Sequence, residues 1–494
     1  MSILKKLAGQ TAVYGLSSIV GRFLNYLLVP LYTGVLQPSA FGMQSWFYAF
    51  ASFGAVIFTY GMETAFFNFS RSRPDKERVF STILISILAS SAVLSLLLFG
   101  LAEPITQSSW AKQSGNTSYF YYIIIILAAD AITAIPFAWL RQQNEAMRFA
   151  MLRLLSIGVN IGLNLLFYLV FPYLVSKGLF APLSIDGSVS IKWIFVANVA
   201  SSLVILPFFI KEFKMIRFGF DTSLWKEMMI YAYPLIFMGF AGMINETMDR
   251  MLLTAYIPDP VVANYQTGIY AANYKLSILI TLFIQAFRFA AEPFFFARAK
   301  EGDAPKTYAQ VMHYFVIVCA TIFLVVVLYL DIFKYFIRTK EYWEGLKVVP
   351  ILLMANIFLG MYYNLSIWYK LTNKTRLGAI VSIIGACITL ALNILWIPIY
   401  GYMGSAWATL ICYASMAIMS YALGQKYYPV PYPLKRIGAH LALSLSIYLV
   451  SEMLKDTFQY PPSVSLLINT VLMAIYIFIV YKMEETAIRR FMKK

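Results

Sequence analysis

Charge is what this sequence has least of. Lysine, arginine, aspartate and glutamate make up 13% of its 494 residues, while 60% are hydrophobic. Water-soluble domains carry about 25% charged residues, so the composition indicates a polytopic membrane protein. No stretch between the apolar runs is long enough to form a separate soluble domain. Histidine and cysteine are scarcer still. The two histidines, His313 and His440, each lie near the end of an apolar run. Neither has a ligand partner three or four residues away, so each reads as an isolated packing residue and no metal is expected. The three cysteines (Cys319, Cys387 and Cys412) sit in apolar runs without CxxC spacing, which suits small core residues and implies neither disulfide nor metal. No G-x-x-x-x-G-K-[ST] loop occurs, which excludes nucleotide hydrolysis by that route. The absence of a long outer loop argues against a membrane-embedded polymerase or transferase.

What is present is a succession of apolar runs of about 20 residues, each long enough to cross a bilayer as a helix. There are fourteen, from residues 8–33 to residues 463–481. The opening MSILKK resembles the basic start of a signal peptide. The run behind it is too long for one, and it contains Arg22, so a retained first helix is expected. With the N-terminus inside, 27 of the 39 lysines and arginines fall on inner segments, 8 on outer loops and 4 within spans. That asymmetry places both termini in the cytoplasm. One outer loop departs from it, since Asp331–Lys347 holds Lys334, Arg338, Lys340 and Lys347, partly offset by Asp331, Glu341 and Glu344. The net charge of +16 is therefore a topology signal with some attraction to anionic lipid heads, and no nucleic-acid partner is expected.

The chain repeats itself at an offset of 229 residues. Glu63 falls on Glu292, AWLRQQN (Ala138–Asn144) on IWYKLTN (Ile367–Asn373), and GLNLLF (Gly162–Phe167) on ALNILW (Ala391–Trp396). Equivalent segments separated by six helices have the same orientation, so this is a parallel repeat about an axis along the membrane normal. The expected fold is all-α with fourteen transmembrane helices. Helices 1–6 form an N-lobe (1–212) and a cytoplasmic linker follows (213–227). Helices 7–12 form a C-lobe (228–424), and helices 13 and 14 with a basic cytoplasmic tail complete the chain (425–494).

Ionisable residues inside spans point to function, because they are costly at membrane depth and usually face a bundle interior or a watery cavity. Glu63, Arg288 and Glu292 lie near cytoplasmic ends, where snorkelling is sufficient. Arg22, Asp130, Glu246, Asp249, Arg250 and Lys275 are deeper. At roughly 3 kcal/mol each they would cost about 18 kcal/mol facing lipid, more than the ~5–15 kcal/mol that holds a typical protein folded. Glu246, Asp249 and Arg250 share one helix face, being three and four residues apart. Two readings stay open: buried ion pairs that fix helix packing, with Glu246 and Arg250 well spaced for it, or a charged cavity between the lobes. Near Arg22, Asn25 is placed to meet sugar hydroxyls and Tyr14 and Tyr26 to line a sugar surface, as is Asn245 on the seventh helix. Guanidinium and ammonium groups suit phosphate oxygens, so Arg22, Arg250, Lys275 and Arg288 are candidate pyrophosphate ligands. Asp130, Glu246 and Asp249 are candidates to take up a coupling proton or sodium ion, because burial raises carboxylate pKa values; Glu63 and Glu292 join them as cavity carboxylates. No other cofactor is expected.

Fourteen helices in this arrangement resemble the polysaccharide flippases (Wzx type) of the multidrug/oligosaccharidyl-lipid/polysaccharide (MOP) exporter superfamily. The opening, TAVYGLSSIVGRFLNYLLVPLYTGVL (Thr11–Leu36) and AFGMQSWFYAFASF (Ala40–Phe53), is similar to that family, as is IYGYMGSAWATLI (Ile399–Ile411). The resemblance implies a pair of bundles that opens alternately to each side of the bacterial inner membrane. It implies export of an undecaprenyl-pyrophosphate-linked glycan for O-antigen or exopolysaccharide, alongside a polysaccharide polymerase and other export components. It also implies a mainly cationic cavity, whereas four basic groups here face five acidic ones within the spans. The peptidoglycan-precursor flippases share the fourteen-helix plan, multidrug/cation antiporters of the superfamily typically have twelve helices, and a glycan polymerase or transferase is the reading from another class.

Overall fold

The computed structural model describes residues 19–113, 115–178, 191–299 and 302–492, without the side chains of residues 217, 218, 290, 292, 293, 297 and 486–492. Tyr14, the start of the first helix and the side chain of Glu292 lie outside the described residues. The described residues are helical with no strand, as the sequence requires. The first helix is described over Ile19–Val35 (α1). Thirteen further helices are long and apolar enough to cross a membrane. They are α2 (Pro38–Ser72), α3 (Lys76–Gln107), α4 (Thr117–Gln142), α5 (Ala146–Ser176), α6 (Lys192–Ile216), α7 (Thr222–Tyr256) and α8 (Pro260–Phe296). After these come α9 (Ala304–Leu328), α10 (Lys340–Leu371), α11 (Thr375–Tyr400), α12 (Tyr402–Tyr427), α13 (Leu434–Phe458) and α14 (Pro462–Glu485).

By contact the chain forms two compact units. One holds the described residues up to Ala272 together with Ala386–Ser405, the other Asn273–Gly385 and the residues from Ala406 onward. In the first unit α4 is the most buried helix, packed against α2, α3 and α6, while α7 lies along α2 and α3. Trp46, Tyr270, Phe47, Phe58, Phe66, Phe80, Phe120 and Phe137 are among its largest fully buried side chains. Helix α2 breaks at Tyr60–Gly61, both left-handed (φ 31° and 75°), a geometry that costs glycine little. The break starts a new helical turn at Met62, with Glu63 in it. In the second unit α9 and α10 are the most buried, and α9 is flanked by α10, α13 and α14.

The 229-residue repeat is visible atom by atom. Asn144 and Asn373 both take positive φ (62° and 56°) just past the ends of α4 and α10. The next amide in each case, of Glu145 or Lys374, donates to the carbonyl five residues back, of Leu140 or Tyr369. Asparagine is among the few non-glycine residues that tolerate this helix-ending conformation. Asn164 and Asn393, also equivalent, are fully buried, and each Nδ2 donates to the carbonyl of the residue four back at 2.8 Å.

Candidate functional site

The first unit gathers polar side chains from α2, α4, α5 and α6 around Asp130. Ser202 donates a hydrogen bond to its carboxylate, and Arg153 and Tyr48 lie within electrostatic reach. Tyr48 is held in turn by Asn198, whose Nδ2 donates to the phenol oxygen at 2.7 Å. The Arg153 guanidinium lies flat over the Phe137 ring at 4.1 Å and also feels Glu63 and Arg141. Glu63 and Arg141 form an ion pair, and Arg141 sits over the Phe67 ring at 4.9 Å. Asp130 and Arg153 have open surface even though protein surrounds most of their directions.

A second cluster closes on itself. Asp249 is buried and accepts from the Tyr270 hydroxyl at 2.7 Å and from Arg250 Nη1 at 2.8 Å. The same Nη1 donates to the Glu246 carbonyl oxygen at 2.7 Å. Spacing on the helix favours a pairing of Arg250 with the Glu246 side chain, but the guanidinium instead folds onto its sequence neighbour, because the tyrosine fixes Asp249 as the better-held anion. The Arg250 side chain is 12% exposed, so its charge is already balanced. Glu246 itself is exposed. Asn245 Oδ1 accepts from the Thr389 hydroxyl at 3.1 Å.

Of the remaining candidates, Arg22 and Asn25 are exposed on α1, three residues apart and so on one face. Tyr26 is 9% exposed and packs inside the protein, so it does not line a sugar surface. Lys275 and Arg288 belong to the second unit. Lys275 is half-buried in a short 3-10 turn between two parts of α8, and Arg288 is exposed with its guanidinium 4.0 Å from the Tyr363 ring centre. Arg153 was hidden in the sequence, because it lies near the start of its apolar run and counts there as a cytoplasmic loop charge. The structure starts α5 at Ala146, which puts Arg153 two turns inside. Polar residues at helical spacing in neighbouring runs (Asn160 with Asn164, Asn198 with Ser202) were the available signal. His313 and His440 correct the sequence reading more sharply, since both reach the same carboxylate, that of Glu484.

Helices long and apolar enough to cross a membrane along almost the whole described chain make this a multi-pass membrane protein, and its fold is that of solved transporters of the MOP superfamily. The chain is similar to a solved structure of the lipid II flippase MurJ in an inward closed conformation, with TM-score 0.64 at 15% identity, covering 94% of this chain and 98% of that one. It is also similar to an inward-facing multidrug resistance MATE family transporter of the MOP superfamily, with TM-score 0.61 at 14% identity, covering 84% and 94%. No curated protein sequence matches it. Residues 7–297 match the profile of the polysaccharide biosynthesis protein family, and the chain belongs to that family.

Proposed function

We propose that the protein flips an undecaprenyl-pyrophosphate-linked oligosaccharide outward across the bacterial inner membrane by alternating access, with both termini cytoplasmic and an ion gradient as the driving force. The observation that carries this reading is membership of a polysaccharide biosynthesis family in a chain that gathers Asp130 and Arg153 on membrane-length helices. A pyrophosphate and its sugar hydroxyls cannot cross hydrocarbon unshielded, whereas the polyprenyl tail can remain in lipid. Arg22 is the proposed phosphate ligand of the first unit, with Asn25 and Asn245 for sugar hydroxyls. Lys275 and Arg288 are further cationic candidates, and Arg250 contributes little net charge because Asp249 balances it. Asp130, within electrostatic reach of Arg153, is the proposed coupling carboxylate; Glu246 and Asp249 are secondary candidates, with Glu63 and Glu292 as further cavity carboxylates. No bond is made or broken in this reading.

A second reading, flipping of a peptidoglycan lipid precursor, is supported by the near-complete overlap with MurJ. Vesicles holding the purified protein and one defined lipid-linked oligosaccharide test the proposal, with lipid II as the competing cargo. Protein-dependent appearance of the oligosaccharide on the opposite leaflet supports the first reading, and movement of lipid II alone supports the second. In cells lacking the protein, single repeat units should accumulate on the inner face. Units exposed outside but left unpolymerised would instead indicate a polymerase or transferase.

A further inference from the structure

The chain has only two histidines, and the fold brings both to one carboxylate. His313 on α9 and His440 on α13 each place Nε2 against Oε1 of Glu484 on α14, at 2.9 Å and 3.2 Å. The rings stand 5.3 Å apart, centre to centre. Exposure is 5% for His313, 0% for His440 and 4% for Glu484. One donor atom from each of the three residues falls within 4.8 Å of the other two. All three belong to the second unit, and none is among the residues assigned to transport.

As a purely hydrogen-bonded cluster this arrangement is poorly served. A single carboxylate oxygen, Oε1 of Glu484, faces both rings. The donor set suits another occupant. Two neutral imidazoles and one carboxylate are borderline ligands of the kind that bind zinc and its first-row neighbours. Metal–ligand bonds of about 2.0–2.2 Å in tetrahedral geometry hold adjacent donor atoms roughly 3.3–3.5 Å apart. The nitrogen–oxygen separations here are a few tenths of an ångström shorter and the full set spans up to 4.8 Å, so holding an ion takes a shift of the rings away from the carboxylate and toward each other.

We infer that His313, His440 and Glu484 form a binding site for a divalent first-row transition metal, with a fourth position open to water. Glu484 supplies the anionic charge, and the neutral imidazoles supply the lone pairs. The ligands lie in the third turn of α9, the second turn of α13 and near the end of α14, toward the ends that the charge pattern places in the cytoplasm. The bound ion ties the terminal helix pair to α9.

The test uses the full chain in detergent, purified without a polyhistidine tag, stripped with a chelator and then exposed to zinc or cobalt(II). One equivalent of zinc should remain after gel filtration, and cobalt(II) should give the visible bands of a low-coordinate site. Zinc should also raise the thermal midpoint. In H313Q and H440Q zinc affinity should fall roughly tenfold or more and the thermal shift should vanish. A wild-type chain that retains no stoichiometric zinc and gives no cobalt spectrum would overturn the inference. So would H313Q and H440Q variants that bind as the wild type does. The cobalt spectrum needs no variant, so it decides the matter even where a substitution prevents folding.

Discussion

Gly42 and Gly268 meet where α2 crosses α8 in the first unit. A Cβ built on Gly42 would lie 1.8 Å from the Asn264 carbonyl oxygen, and one on Gly268 would lie 1.8 Å from that of Pro38. Backbone cannot swing aside as a side chain can, so Gly42→Ala must push the helices apart at an overpacking cost of about 1–3 kcal/mol. The thermal midpoint of the purified protein should fall accordingly. Gly158→Ala, whose Cβ meets nothing within 4 Å, should leave it unchanged or slightly higher. A residue-level prediction also concerns transport. Arg153→Gln removes the cation within electrostatic reach of Asp130. Flipping in vesicles should drop about tenfold or more, with protein level and thermal midpoint little changed. A loss of stability with normal flipping per folded molecule would make the pair a packing device.

Helices were legible to different depths for identifiable reasons. Apolar run length reports on lipid and can be read along a line, and the succession of membrane-length helices followed from it. The break in α2 did not, because a single glycine in an apolar run has many uses and only the αL pair at Tyr60–Gly61 reveals this one. The histidine cluster did not either, because its members stand 171 and 44 residues from Glu484 and no spacing rule reaches that far. The same holds for Asp331, which follows α9 and accepts from Lys334 at 2.6 Å and from Lys455 on α13 at 2.8 Å. Partial burial opposes its charge, but the two lysine hydrogen bonds outweigh that and hold its carboxyl below the usual aspartate range. A depressed folded pKa means that the stabilisation is complete above the unfolded value of about 3.9 and is lost as pH falls through the lower folded value. Asp331→Asn should therefore lower the thermal midpoint at neutral pH, and the gap from wild type should close only in strong acid. A gap that stayed constant down to strong acid would show that the carboxylate charge plays no part.

For the molecule as a whole, the basic loop Asp331–Lys347 that departs from the charge rule brings with it a test of orientation. Its Lys334 and the neighbouring Lys455 share Asp331, so two of the 8 outer basic residues are bound to one carboxylate rather than presented to lipid heads. Topology is decided during insertion by the sum of basic residues near the helix ends, and 27 inner against 8 outer leaves a wide margin. Reporter fusions after Lys494 and at Asn144 should read as cytoplasmic, and a fusion within residues 459–461 as external. Asp331→Asn should leave all three readings unchanged, because acidic residues contribute little to the rule and the margin does not depend on one loop. An external reading at Asn144 would reverse the direction assigned to every helix and place the Glu63–Arg141 pair and the histidine cluster on the outer side. The proposed outward flipping and the proposed cytoplasmic access of the metal would then both need a different geometry, so the topology experiment bears on both proposals at once.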